Sequence, residues 1–413
     1  MTQTTNPPRR KNWRRKLLLV LFGIGCGLLM TEALLRVIGY SYPLFYTTDN
    51  VRGFALEPFA EGSYQREGGS YVRINSDGLR DREHTKTKPA GTFRIAVLGD
   101  SFSEAMHVPM ESTYWFLLQQ KLQACAGPQK QIEIINFGVS GYGTAQELLT
   151  LRQKVWQYSP DMVILAFTTY NDVYDNSRAL SQTEEVPYFI YRDGVLVEDA
   201  SFRDSKTYLR RDSRLSRLGR WFHNRIRIVQ LVHQIQFVAK LRLAEWRNRR
   251  NLATQGPSAS NQTQARNAVD IGLDNMTYLE PRDENWKEAW RVTEGLVRQM
   301  RDEVNQKGAN FLLVTLSSAV QVYPDPQLRQ RFLQHLGSDT IFYPNIRLQD
   351  FAEREQIDFI DLAQPMQAYA DQNKVFLHGF GDHLDNGHWN ADGHREAADL
   401  IAQKICRQNL LPQ

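Results

Sequence analysis

The stretch Arg94-Ile95-Ala96-Val97-Leu98-Gly99-Asp100-Ser101-Phe102-Ser103-Glu104-Ala105 decides the fold. A run of buried-strand character from Phe93 to Leu98 stops at Gly99 and then presents a hydroxyl at Ser101. Open α/β sheets expose reactive groups in this way at the carboxyl edge of a strand. The pattern recurs downstream. Ile132 to Phe137 reads as a strand and ends in the loop Gly138–Gly143; Met162 to Phe167 ends in Thr168-Thr-Tyr-Asn-Asp172. Between them, Glu111 to Cys125 has helical periodicity. A second helix, capped by Thr144 with Glu147 three residues on, runs to about Tyr158, and Pro160 stops it. Alternating strands and helices with polar strand ends predict a doubly wound parallel sheet with helices on both faces.

Beyond residue 282 the rhythm resumes. A helix is expected from about Glu284 to Gln306, a strand over Asn310 to Leu316, helical material around 327–355, and a short strand from Asp358 to Asp361. Asn390 is a good N-cap for a last helix through Cys406. Residues 40–92 read as an irregular approach segment, and 176–282 as an insertion into the domain 93–410. From Arg203 to Arg250 the insertion carries fourteen Arg or Lys against three acids, with apolar residues at helical spacing. One reading packs that apolar face on the main domain and solvates the arginines. The other lays an amphipathic helix on an anionic membrane surface, or makes a basic lid over an acidic polymer. Residues 251–266 read as a flexible polar loop.

The chain has 413 residues, 42% of them hydrophobic and 23% charged, which is enough for one enzyme-sized core plus attachments. The formal charge of +4 says less than its clustering. Arg9, Arg10, Lys11, Arg14, Arg15 and Lys16 precede an apolar run from Leu17 to about Ile38, broken only by Glu32 and Arg36, four apart on one helical face. A span needs roughly 20 residues. The basic leading flank (1–16) puts the N-terminus in the cytoplasm and the body outside, with 17–39 as an uncleaved signal anchor. A cleaved signal peptide would want a small-residue site, which is lacking, and lipid attachment at Cys26 fits its upstream residues poorly. An exported body permits a bridge between Cys125 and Cys406, one in the first helix and one in the last; two separate thiols are the alternative. Nucleic acid is not an expected partner of such a body.

Three strand ends thus carry polar groups: Ser101, the Gly138–Gly143 loop and Asn171. Asp385-Asn-Gly-His388 adds a fourth site near the C-terminus. A serine hydroxyl needs a base, and His388 is the candidate; Asp385 could fix its tautomer. Attack on an ester carbonyl needs oxyanion donors, and the N–H groups of Ser101 and Gly141 and the Asn171 amide would serve. His378, Asp382, His383, Asp385 and His388 match no common zinc spacing, and no cofactor is expected. The order Gly-x-x-Gly-x-Gly at 138–143 argues against a dinucleotide fingerprint. The absence of a Gly-x-Ser-x-Gly elbow argues against an α/β-hydrolase.

Gly99-Asp100-Ser101, Asn136-Phe-Gly-Val-Ser-Gly141, Asn171-Asp172 and Asp385-x-x-His388 together resemble the four ordered blocks of the SGNH (GDSL-type) hydrolase family, over about 93–175 and 284–407. The resemblance implies a three-layer flavodoxin-like fold. It implies Ser101 as nucleophile, Gly141 and Asn171 as oxyanion donors, and His388 as a base oriented by Asp385. Many members have Gly before the Asn-Asp pair, where this chain has Thr169-Tyr170. The anchor and the insertion resemble membrane-anchored bacterial members, some similar to polysaccharide O-acetyltransferases. The expectation is an extracytoplasmic serine esterase acting on O-acyl, chiefly acetyl, esters, with an acylated carbohydrate as substrate. The alternatives are an O-acyltransferase using the same triad and a catalytically idle protein that binds envelope polymer.

Overall fold

The structure, a computed structural model, describes residues 13–128, 130–254, 275–384, 386–408 and 410–411. The basic cluster up to residue 12, residues 255–266 of the polar stretch, and Asp385 lie outside the described residues.

Five strands build the central sheet: β1 (Thr92–Gly99), β2 (Gln131–Asn136), β3 (Met162–Thr168), β4 (Asn310–Leu316) and β5 (Asp358–Asp361). Every pairing is parallel and the order is β2-β1-β3-β4-β5. That is the flavodoxin-like order, with its switch point between β1 and β3. The helices that matter for the site are α1 (Trp13–Val37), α2 (Tyr114–Ala126), α3 (Thr144–Gln153), α4 (Arg214–Arg225), α5 (Arg227–Thr254), α6 (Glu284–Gln306) and α7 (Ala391–Arg407). All residues of β1 and β3 are buried because helices cover both faces, which is why β3 reads as one apolar run and β1 as a run broken only at Arg94. Alternate residues serve opposite layers. Ala96, Leu98, Val163 and Leu165 face the α3 and α6 side; Ile95, Val97, Ile164 and Val314 face the α2 and α7 side.

Arg94 interrupts β1 and is fully buried. Its guanidinium donates to Glu133 (2.7 Å) and to the carbonyls of Thr85, Lys86 and Tyr158, so the chain entering the sheet is tied beneath it. Cys125 and Cys406 form a disulfide joining α2 to α7, with Cα atoms 6.3 Å apart.

Three regions differ from expectation. The segment before β1 is not irregular: Tyr46–Asp49 pairs with Gly53–Leu56, and Glu61–Tyr64 pairs with Ser70–Arg73, as two antiparallel hairpins. At the start of α3 the cap is Gly143, and Glu147 faces inward, fully buried, instead of closing a capping box with Thr144. In the insertion, a hairpin (Tyr188–Arg192 with Val195–Asp199) buries Tyr188 and Phe189 in the core, but the apolar residues of α4 stay exposed. The face expected to pack on the body is therefore uncovered. Helix α1 is long and apolar enough to cross a membrane, and its apolar stretch is not covered by the rest of the described chain.

Candidate active site

Asp100 and Ser101 follow the end of β1 directly. The Asp100 carboxylate accepts the Phe102 N–H (3.0 Å) and caps a four-residue helix, Ser101–Glu104, whose first residue is the serine. The cap fixes the turn and leaves the Ser101 hydroxyl at the partly exposed rim. Glu104, at the other end of that helix, is buried. Its carboxylate accepts from Tyr46 Oη (2.8 Å) and from the Ser140 N–H (3.1 Å), which ties the Ser101 turn to the 138–143 loop and to the first hairpin. Burial pushes the Glu104 carboxyl up to about 7.

The Ser101 hydroxyl lies 2.7 Å from His388 Nε2. His388 sits just before α7, whose N-cap Asn390 accepts the Asp392 and Gly393 N–H groups. Its ring rests on Phe102 (centroids 5.0 Å) and stacks on His107 (4.7 Å). His107 Nε2 in turn meets His394 Nε2 at 3.3 Å, and the Tyr114 N–H donates to His394 Nδ1. Burial pushes both His107 and His394 well below the ordinary imidazole range, so neutral rings back the candidate base.

The far nitrogen of His388 is held by Glu67. Glu67 Oε2 is 2.5 Å from His388 Nδ1, and Oε1 accepts the His388 backbone N–H at 2.7 Å. The expected partner was Asp385, which lies outside the described residues; the carboxylate on Nδ1 is Glu67. Glu67 stands at the tip of the second hairpin, between Tyr64 and Ser70. A Cβ at Gly387 would fall 2.0 Å from Glu67 Oε1, and Gly387 has φ +83°, so only glycine admits this approach. His378, a member of the C-terminal His/Asp cluster, pairs through Nδ1 with the Gly387 carbonyl at 2.8 Å and braces the same loop. Among the described residues no group of three or more His, Cys, Asp or Glu is arranged to hold a metal ion.

Burial would lower the pKa of His388, but the hydrogen bond and charge of Glu67 oppose it, and the net shift is upward. Glu67 is itself held below the usual carboxylate range: its burial raises the pKa, and the three interactions with His388 outweigh that. The pair is therefore set up as an ionised acid holding an imidazole in one tautomer, with Nε2 facing the serine.

The expected oxyanion donors surround the same strand end. Asn171 follows β3, beside β1, and its Nδ2 donates to Asp100 Oδ2 at 3.1 Å, next to Ser101. Gly141 follows β2, on the other side of β1; it is exposed and has φ +77°. Among the described residues neither the Ser101 nor the Gly141 amide donates to another group of the chain. Asp172, beside Asn171, is fully buried and accepts the Thr168 N–H (2.7 Å), and burial together with Glu147 and Asp100 raises its pKa well above normal.

Beside the 138–143 loop opens a cavity of about 560 Å³. Tyr46, Phe54, Tyr64 and Ser140 line it from the body, and His223 and Phe237 from the insertion helices.

No protein-family model and no curated protein matches the sequence. Among solved structures, the chain is similar to an acetyl xylan esterase (16% identity, TM-score 0.38, covering 76% of this chain and 100% of that one). It is also similar to a catalytic mutant of an acetylxylan esterase from Geobacillus stearothermophilus (12%, 0.39, 78% and 96%) and to a GDSL-like lipase from Bacteroides thetaiotaomicron (13%, 0.32, 77% and 89%). At this level of similarity none of them says what the chain does.

Proposed function

We propose that the protein is a serine esterase of the SGNH type that hydrolyses O-acyl esters through an acyl-enzyme. The observation that carries this reading is the chain of contacts Glu67–His388–Ser101, at 2.5 and 2.7 Å. In this mechanism His388 Nε2 takes the Ser101 proton as the hydroxyl oxygen attacks the ester carbonyl. Glu67 stabilises the imidazolium that forms, and it stays ionised. The Ser101 and Gly141 amides and the Asn171 side chain receive the developing oxyanion. His388 then gives its proton to the leaving alcohol. Water repeats the sequence on the acyl-serine and frees the acid.

The acyl group we assign is small, chiefly acetyl, and the alcohol is a carbohydrate hydroxyl. Supporting the carbohydrate is the neighbouring cavity, where three aromatic rings (Tyr46, Phe54, Tyr64) stand beside hydrogen-bonding groups, the composition that sugar faces and hydroxyls require. The body is assigned to the extracytoplasmic side, held by α1.

The test is hydrolysis of p-nitrophenyl acetate and of an O-acetylated oligosaccharide by the full chain in detergent, against Ser101→Ala. A drop of about 10³-fold or more is expected. Equal rates would sink the catalytic assignment and leave a binding protein. Acetate appearing on an added sugar acceptor, in place of free acetate, would make the enzyme a transferase.

A further inference from the structure

Helix α4 exposes one apolar face at the foot of the presumptive anchor. Leu215, Leu218, Trp221 and Phe222 lie on one side of it, at i, i+3, i+6 and i+7, and are 79%, 50%, 49% and 43% exposed. Four large apolar side chains left on one helix face form a contiguous patch that needs a partner. Arg214, Arg217 and Arg225 flank the face and are exposed, and the Arg225 guanidinium lies 4.9 Å over the Trp221 ring.

The position of α4 says what covers it. Glu32, near the end of α1, accepts the N–H groups of Arg227 (3.1 Å) and Ile228 (3.0 Å), which open α5. Arg36, one turn on, donates to the Arg225 carbonyl (2.6 Å), the last residue of α4. The joint between α4 and α5 is thus bolted to the end of α1 where the chain would leave the hydrocarbon. At 25 residues and 1.5 Å per residue, α1 is about 37 Å long, so its last turn falls at the headgroup level of a bilayer roughly 30 Å thick in its core. An amphipathic helix with arginine flanks, fixed at that level, has the composition of an interfacial helix.

We infer that α4 is a membrane-surface platform, with Leu215, Leu218, Trp221 and Phe222 in the headgroup–acyl boundary and its arginines on anionic phospholipid headgroups. The inference rests on α1 being a membrane span and not on the esterase assignment. Phe237 and His223 of the insertion also line the cavity beside the 138–143 loop. A platform on the bilayer therefore fixes the height and tilt of that cavity over the membrane.

The test uses the full chain in lipid nanodiscs, with Cys26→Ser and Leu218→Cys carrying an NBD label. Discs contain phosphatidylcholine with or without phosphatidylglycerol and a headgroup-proximal doxyl lipid. Blue-shifted emission and doxyl quenching are expected, stronger with phosphatidylglycerol and at least about twofold weaker in Arg214→Glu/Arg217→Glu. An aqueous spectrum in both discs would overturn the platform, as would energy transfer showing a second copy on this face. Quenching indifferent to lipid charge and to the arginine changes would overturn the anionic assignment. Release of the chain from membranes by alkaline carbonate would overturn the anchor and the inference with it, while leaving the esterase reading intact.

Discussion

Glu67 and His388 meet at 2.5 Å although 321 residues separate them. The contact joins a hairpin tip from the segment ahead of the sheet to the loop before the last helix. The proposed base is thereby held by a residue that belongs to neither the strand ends nor the C-terminal block.

Replacing Glu67 by Gln should lower kcat/KM by about 10²–10⁴-fold, because the amide cannot stabilise the imidazolium and can hold the wrong tautomer. Asp385→Asn should cost far less. Steady-state kinetics of the two variants decide between the carboxylates, and a larger loss in Asp385→Asn would return the role to that residue.

The pH profile carries a second signature. Because Glu67 raises the His388 pKa, the active neutral imidazole forms only as pH rises through a value above the ordinary range. The acid limb of kcat/KM should lie there in the wild type. In Glu67→Gln the largest opposition to burial is lost, only the lesser pull of the Asp100 and Glu104 charges remaining, and the limb should move to lower pH. An unmoved limb would mean that another group controls it.

Asn171→Ala should reduce kcat by about 10²–10³-fold with little change in KM, as loss of one oxyanion donor does. A rise in KM at constant kcat would instead mark Asn171 as a ground-state contact. Its hydrogen bond to Asp100 makes a stability control necessary. A thermal melt of Asn171→Ala within a few degrees of wild type separates the two effects.

Removing the disulfide with Cys125→Ser/Cys406→Ser should cost about 2–5 kcal/mol of stability in denaturant unfolding. The specific activity of the folded enzyme should stay unchanged. Helices α2 and α7, 13 and 17 residues long, both begin near the site and carry their cysteines one residue before their far ends. At 1.5 Å per residue the bridge stands roughly 17–23 Å from the helix starts.

Much of this was legible in the chain. β4 and α6 fall where the periodicity puts them, since a strand buried on both faces and a strongly amphipathic helix leave clear patterns, and the half-buried edge strand β5 falls at its expected place too. Ser101, His388 and Asn171 were reachable because each sits at the end of a recognisable strand or before a capped helix. Glu67 was not. Its only local mark is the Gly68-Gly69 turn, which signals a hairpin tip but not the direction of a carboxylate. The carboxylate's destination is set by a long-range approach to Gly387. Glu147 was misread for a related reason: the spacing of a capping box is local, and its burial is decided by the sheet above it. The uncovered face of α4 shows the converse limit. Helical spacing announces an apolar stripe without saying what lies against it.

The Cys125–Cys406 bridge closes a covalent ring of chain, with the two cysteines 281 positions apart. Four of the five sheet strands, Asn171, the whole insertion and His388 lie inside the ring. Ser101, Glu67 and α1 lie on the tail that leads into it. A protease that nicks the insertion therefore cannot divide the molecule. It leaves a two-chain protein whose halves stay linked, with His388 still tethered to the half that carries Ser101 and α1.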